Sequence, residues 1–108
     1  MMKKSILTAC GLLLAASLPA YANDSAEIQM KTKVCTTCHG PDGNSPSPEF
    51  PKLAGQHRDY LMKALRDYKS GARKNPIMGG QVSGLTAQDM ADLAAYFSSQ
   101  NGSLHVIR

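Results

Sequence analysis

Apolar and polar residues recur with helical period in three stretches of the chain, and no stretch alternates every second residue for long enough to make a strand. In residues 57–70, Leu61, Ala64, Leu65 and Tyr68 fall at i, i+3, i+4 and i+7, which predicts an amphipathic helix stopped by Gly71. Residues 86–100 predict another, with Thr86 as N-cap, Asp89 three places on, and Met90, Leu93, Ala94 and Phe97 as its buried stripe, ended by Asn101 and Gly102. A thinner apolar face of Ile28, Met30 and Val34 predicts a helix over 24–37, opened by Asp24 and Glu27 in a capping-box-like arrangement.

Two stretches between the helices lack a period. Residues 40–56 hold four prolines and three glycines, which forbids a long helix or a central strand. Residues 71–84 read the same way, with Pro76 as a helix block and Gly79 and Gly80 as freedom for a close turn. The pattern therefore predicts an all-α fold with long loops, and long loops in a small domain usually carry function or wrap a ligand.

The N-terminal stretch changes the count of what folds. Lys3 and Lys4, an apolar run over 6–18 and the small-residue end Ala20-Tyr21-Ala22 read as a secretory signal peptide, 1–22, cleaved after Ala22. The run is shorter than the roughly 18 to 20 residues that span a bilayer. "LTAC" resembles a lipobox at Cys10, but only Ser5 and Ile6 separate it from the basic end, so Cys10 is expected to leave with the leader.

The expected mature domain, 23–108, is small enough to need a staple, because a chain of this size buries only about 60% of its unfolded surface. Its two cysteines, Cys35 and Cys38, enclose two residues, and a disulfide across so short a loop restricts the unfolded chain little. Removing Lys3 and Lys4 leaves ten basic residues against eight acidic ones, with no basic block. The small size and short cysteine loop point to a larger group in the core, and the mild charge argues against nucleic acid.

Cys35-Thr36-Thr37-Cys38-His39 is the Cys-x-x-Cys-His sequence of covalent haem attachment. Two thiols three residues apart at a helix end reach the two vinyl groups on one porphyrin edge, and His39 is drawn under the iron. A zinc site needs a second ligand pair, for which only His57 and His105 remain, and a redox dithiol needs a βαβ context that the pattern lacks.

The sixth iron position has four methionine candidates outside the leader. Met90 belongs to a buried stripe, Met62 lies beside Leu61 on a helix, and Met30 sits close before the motif. Met78, in "NPIMGG" and 39 residues after His39, is the preferred ligand, giving the His/Met pair of c-type cytochromes. An open or water-filled sixth position is the competing reading.

With these residues in view, "CTTCHGPDGNSPSPEFPKLAGQHRDYLMKAL", "DYKSGARKNPIM" and "LTAQDMADLAAYFSSQ" resemble the class I cytochromes c, and among them the bacterial cytochrome c4 and c553 group. The resemblance runs in order over 34–100. It implies three main helices, the first and last crossing, with long loops wrapped around one covalently attached haem c. It also implies that the carbonyl of Pro51, twelve residues after His39, accepts a hydrogen bond from the imidazole Nδ1, and that Leu53 lines the haem pocket. Such a bond fixes the tautomer that leaves Nε2 for iron.

Two departures accompany the resemblance. Ile28 or Gln29 stands where relatives carry a small residue facing an aromatic of the last helix, which predicts a wider or shifted crossing over Tyr96 or Phe97. Tandem two-domain relatives hold two haems, whereas one Cys-x-x-Cys-His here allows one.

The sequence therefore predicts a monohaem electron carrier of the bacterial periplasm and not an enzyme, with no nucleic acid partner and no stable membrane insertion of the mature chain. Its expected partners are redox proteins such as a bc1 complex, a terminal oxidase or a periplasmic reductase. They would dock at the haem edge, with Lys52, Arg58, Lys63, Arg73 and Lys74 as a candidate basic rim and Arg73 or Lys74 as candidate propionate partners. The alternative is a haem enzyme or gas or ligand sensor with an open sixth site.

Overall fold

The computed structural model of the 108-residue chain describes residues 2–3, 9–15 and 24–104. The expected leader cleavage at Ala22, the Asp24 side chain of the expected capping box and His105 lie outside the described residues. Among the described residues the fold is all-helical, in the order α1 (Asp24–His39), α2 (Arg58–Ser70), α3 (Pro76–Val82) and α4 (Ala87–Ser99). No helix among them is long and apolar enough to cross a membrane.

The end chemistry of α4 follows its sequence. Asp89 N–H donates to Thr86 Oγ1 and Thr86 N–H donates to Asp89 Oδ2, both at 3.0 Å, so two donors that the first turn leaves unpaired are satisfied reciprocally. Met90, Leu93, Ala94 and Phe97 are buried along one face. In α2, Leu61 is the buried residue, Asp59 and Lys69 complement the helix dipole, and Gly71 at φ 84° ends the helix in the left-handed region.

One expectation is overturned between them. Pro76 does not block a helix; it begins α3, where its missing N–H costs nothing. Asn75 caps the helix, its Oδ1 accepting from Ile77 N–H and Met78 N–H at 3.0 Å each. Gly79 and Gly80 are helical and neither has positive φ, so they do not form the close turn expected of them.

The first helix runs two residues past its expected end and takes in both cysteines and His39. Its expected apolar face is not what it buries: Met30 is 73% exposed and Val34 is exposed, while Thr32 is 2% exposed. Gly40, at φ 85°, ends the helix with its N–H donating to Thr36 O at 3.0 Å.

The core gathers where α4 meets α2. Leu61, Leu93, Ala94 and Phe97 form it, and Cys35, Leu53, Met62, Leu65, Leu85 and Tyr96 pack against it half-buried. α4 also packs on α1, and α3 packs on α2. The α1–α4 contact is fastened by charge, since Lys31 Nζ lies 3.2 Å from Asp89 Oδ1 and 2.8 Å from Asp92 Oδ2.

Candidate haem-attachment site

The last turn of α1 places Cys35, Cys38 and His39 at one edge of the core. Both thiols are half-buried and free; no disulfide joins them. Burial pushes the Cys35 thiol up from its ordinary range, against a smaller opposing backbone hydrogen bond.

His39 is 6% exposed, and its Nδ1 lies 2.7 Å from the carbonyl oxygen of Pro51. A carbonyl only accepts, so the Nδ1 carries the proton and donates it to this bond. The neutral ring then presents a lone pair at Nε2, the atom an iron requires. Phe50 meets the same imidazole edge-on, with centroids 6.3 Å apart at 69°, and restrains its rotation.

The loop behind His39 is wound around Gly43. Its carbonyl accepts from Leu53 N–H at 2.8 Å and Ala54 N–H at 3.1 Å. At φ 83° it has the conformation that favours glycine, and a Cβ there would lie 2.8 Å from Phe97 Cδ1. Phe97 also accepts from Gly55 N–H at 3.0 Å, and Tyr96 Oη donates to Pro41 O at 3.3 Å. Asn44 N–H donates to Asp42 Oδ1 at 3.0 Å, and hydrogen bonds from the Asn44 side chain, then its backbone, hold the Asp42 carboxyl below the usual range.

The other residues singled out in the sequence are distributed around this centre. Leu53, like Cys35 and Met62, packs half-buried against the core. Met78 is half-buried on α3, a different element from the one that carries His39. Met90 is buried and Met30 exposed. Of the candidate basic rim, Lys63 pairs with Asp67, Lys52 donates to Ser103 Oγ at 2.9 Å, and Arg73 stacks 4.6 Å over the Tyr68 ring. Arg58 and Lys74 are exposed. Sequence reasoning missed the loop-forming roles of Gly43 and Asn44; their only sequence signal was the turn chemistry of "GPDGN".

A sequence model of the cytochrome c family matches residues 26–101. The chain belongs to the cytochrome c family. It is 49% identical over 100 residues to cytochrome c4 of Pseudomonas aeruginosa, covering 93% of this chain and 48% of that one. It is 40% identical over 82 residues to cytochrome c-554(548) of Halomonas halodenitrificans, covering 73% of this chain and 99% of that protein. The crystal structure of reduced recombinant cytochrome c4 from Pseudomonas stutzeri superposes with a TM-score of 0.67 at 50% identity, over 73% of this chain and 46% of that chain. The chain thus spans about half the length of the cytochrome c4 relatives.

The family carries covalently bound haem c with its iron. The residues here fit that group on their own chemistry: two unpaired thiols at the right spacing, an imidazole whose proton is committed to Nδ1, and half-buried apolar side chains around them.

Proposed function

We propose that the chain is a one-electron carrier with a single haem c, exported to the bacterial periplasm, where it relays electrons between respiratory oxidoreductases. The observation that carries this reading is the Nδ1 bond of His39 to Pro51 at the end of a helix with two free thiols. When bound, the haem supplies reversible exchange between ferrous and ferric iron.

The chain's own residues do the rest. Cys35 and Cys38 tether the porphyrin edge through thioether bonds. Pro51 holds the Nδ1 proton and so orients His39 with Nε2 toward the metal, and Leu53 lines the pocket. Met78 would supply a thioether sulfur to the iron, a donor that favours the lower charge of the ferrous form. Its half-buried place on a capped helix supports a fixed donor at that position.

With His39 and Met78 both holding the iron in either oxidation state, no position would remain for a substrate, and the chain would act as a carrier and not as an enzyme. Its near-neutral balance favours partners recognised by local charge, with the exposed Arg58 and Lys74 among the basic residues available to them. The oxidised protein should show a far-red sulfur-to-iron charge-transfer band, and the reduced protein should resist carbon monoxide. A missing band together with ready carbon monoxide binding would overturn the carrier reading in favour of a haem enzyme or ligand sensor.

A further inference from the structure

The tail that follows α4 returns to the loop carrying Pro51 and touches it on both sides of that residue. Asn44 Nδ2 donates to Asn101 O at 2.8 Å, across 57 residues of sequence, and Lys52 Nζ donates to Ser103 Oγ at 2.9 Å. Between those contacts, Gly102 lies against Ala54, which is 0% exposed. A Cβ at Gly102 would stand 2.6 Å from Asn44 Oδ1, 2.9 Å from Ala54 Cβ and 2.9 Å from Ala54 O.

None of those three atoms yields cheaply. Asn44 Oδ1 belongs to the amide already fixed on Asn101, and the other two belong to a buried alanine whose N–H is bound to Gly43 O at 3.1 Å. Gly102 does not have the left-handed φ of Gly40, Gly43, Gly55 or Gly71, so its small size, not its backbone freedom, is what the position uses. Leu53 N–H is bound to the same Gly43 carbonyl at 2.8 Å. The segment containing the Pro51 carbonyl is therefore pinned from Gly43 on one side and from the tail on the other.

We propose that Gly102 and Asn44 are positioning residues for His39: by seating residues 101–103 against the loop, they set the hydrogen bond between the Pro51 carbonyl and the imidazole Nδ1. The proposal rests on the reading of His39 as the axial ligand. A tighter bond makes the ligand more basic and favours ferric iron, so loosening the tail raises the reduction potential.

The test compares holoprotein variants by two readouts, hydrogen exchange of the His39 Nδ1–H by NMR and the reduction potential. Gly102→Ala should speed that exchange about tenfold or more and raise the potential. Gly84→Ala, where a Cβ would meet nothing within 4 Å, should change neither. Asn44→Ala, which adds no bulk and removes the side-chain bonds to Asn101 O and to the Asp42 carboxyl, should shift both readouts in the same direction as Gly102→Ala, and it decides the matter if Gly102→Ala does not fold. Unchanged exchange and potential in a folded variant with a lowered melting temperature would reduce the tail to a stabilising role and overturn the proposal. Absence of the slowly exchanging Nδ1–H or of covalent haem in the parent protein would instead overturn the ligand reading.

Discussion

The Nδ1 of His39 and the carbonyl oxygen of Pro51, twelve residues apart in sequence, are 2.7 Å apart in space. The acceptor is main chain, so no side-chain change deletes it; what a substitution alters is how firmly the carbonyl is aimed. Proline fixes its own φ and confines Phe50 to extended backbone. Pro51→Ala should leave haem attachment intact, lower stability by about 0.4 to 1 kcal/mol through the freer unfolded chain, and raise the potential slightly. Denaturant unfolding and a redox titration check this, and a potential below the parent's would contradict it.

Gly43 and Gly71 offer a matched pair. Both have φ near 84°, yet a Cβ at Gly71 would meet nothing within 4 Å while one at Gly43 would strike the Phe97 ring and Ala54 N. Gly71→Ala should therefore cost only the left-handed penalty of about 1–2 kcal/mol. Gly43→Ala should cost that plus the collision with a ring that is 3% exposed, and overpacking of a core adds about 1–3 kcal/mol. Equal losses in urea unfolding would show that the loop relaxes freely away from α4.

The contrast between those glycines also shows what the sequence could and could not reveal. α2 and α4 were legible because an apolar stripe and end signals agreed, Thr86 with Asp89 at one end and Gly71 at another. α3 was not, because seven residues are too few for a period and Pro76 has opposite meanings inside a helix and at its first position. α1 was only half legible: Met30 and Val34 of its expected apolar face are exposed, while Lys31 pairs with Asp92, 61 residues away, and periodicity does not register such a pair. The spacing of His39 and Pro51 comes with the family resemblance. The Gly43–Phe97 approach arises only when the chain closes on itself.

Met78 separates the carrier reading from its rival in one substitution. Met78→Ala removes the proposed sulfur donor, so the charge-transfer band should vanish, carbon monoxide should bind the reduced protein and the potential should fall. Met62→Leu, a near-isosteric change in a residue packed half-buried against the core, should cost less than about 1.5 kcal/mol and leave the spectrum alone. An unaltered spectrum in Met78→Ala would move the sixth ligand elsewhere.

Lys31 gives the α1–α4 contact a definite pH window. Its ammonium lies 2.8 Å from Glu27 Oε1 as well as near Asp89 and Asp92, and those carboxylates, Asp92 foremost, raise its pKa above the ordinary 10.5. The clamp's contribution through Lys31 is thus complete below pH 10.5 and lost as the pH rises through the higher folded value. Asp92, held chiefly by Lys31, and Asp89, held first by the Thr86 N–H and then by Lys31, both sit below their ordinary 3.8. Their contribution is complete above pH 3.8 and lost as the pH falls through the lower folded values. Lys31→Met keeps most of the apolar stem and leaves three carboxylates facing one another without a cation. The variant should melt a few degrees below the parent at pH 7, and the gap should narrow as Asp89 and Asp92 protonate below pH 3.8. Molar salt should narrow it too, because the ions are partly exposed and the screening length falls to about 3 Å. A gap of constant size from pH 7 to pH 3 would mean that Lys31 holds α1 through its methylenes and not through its charge.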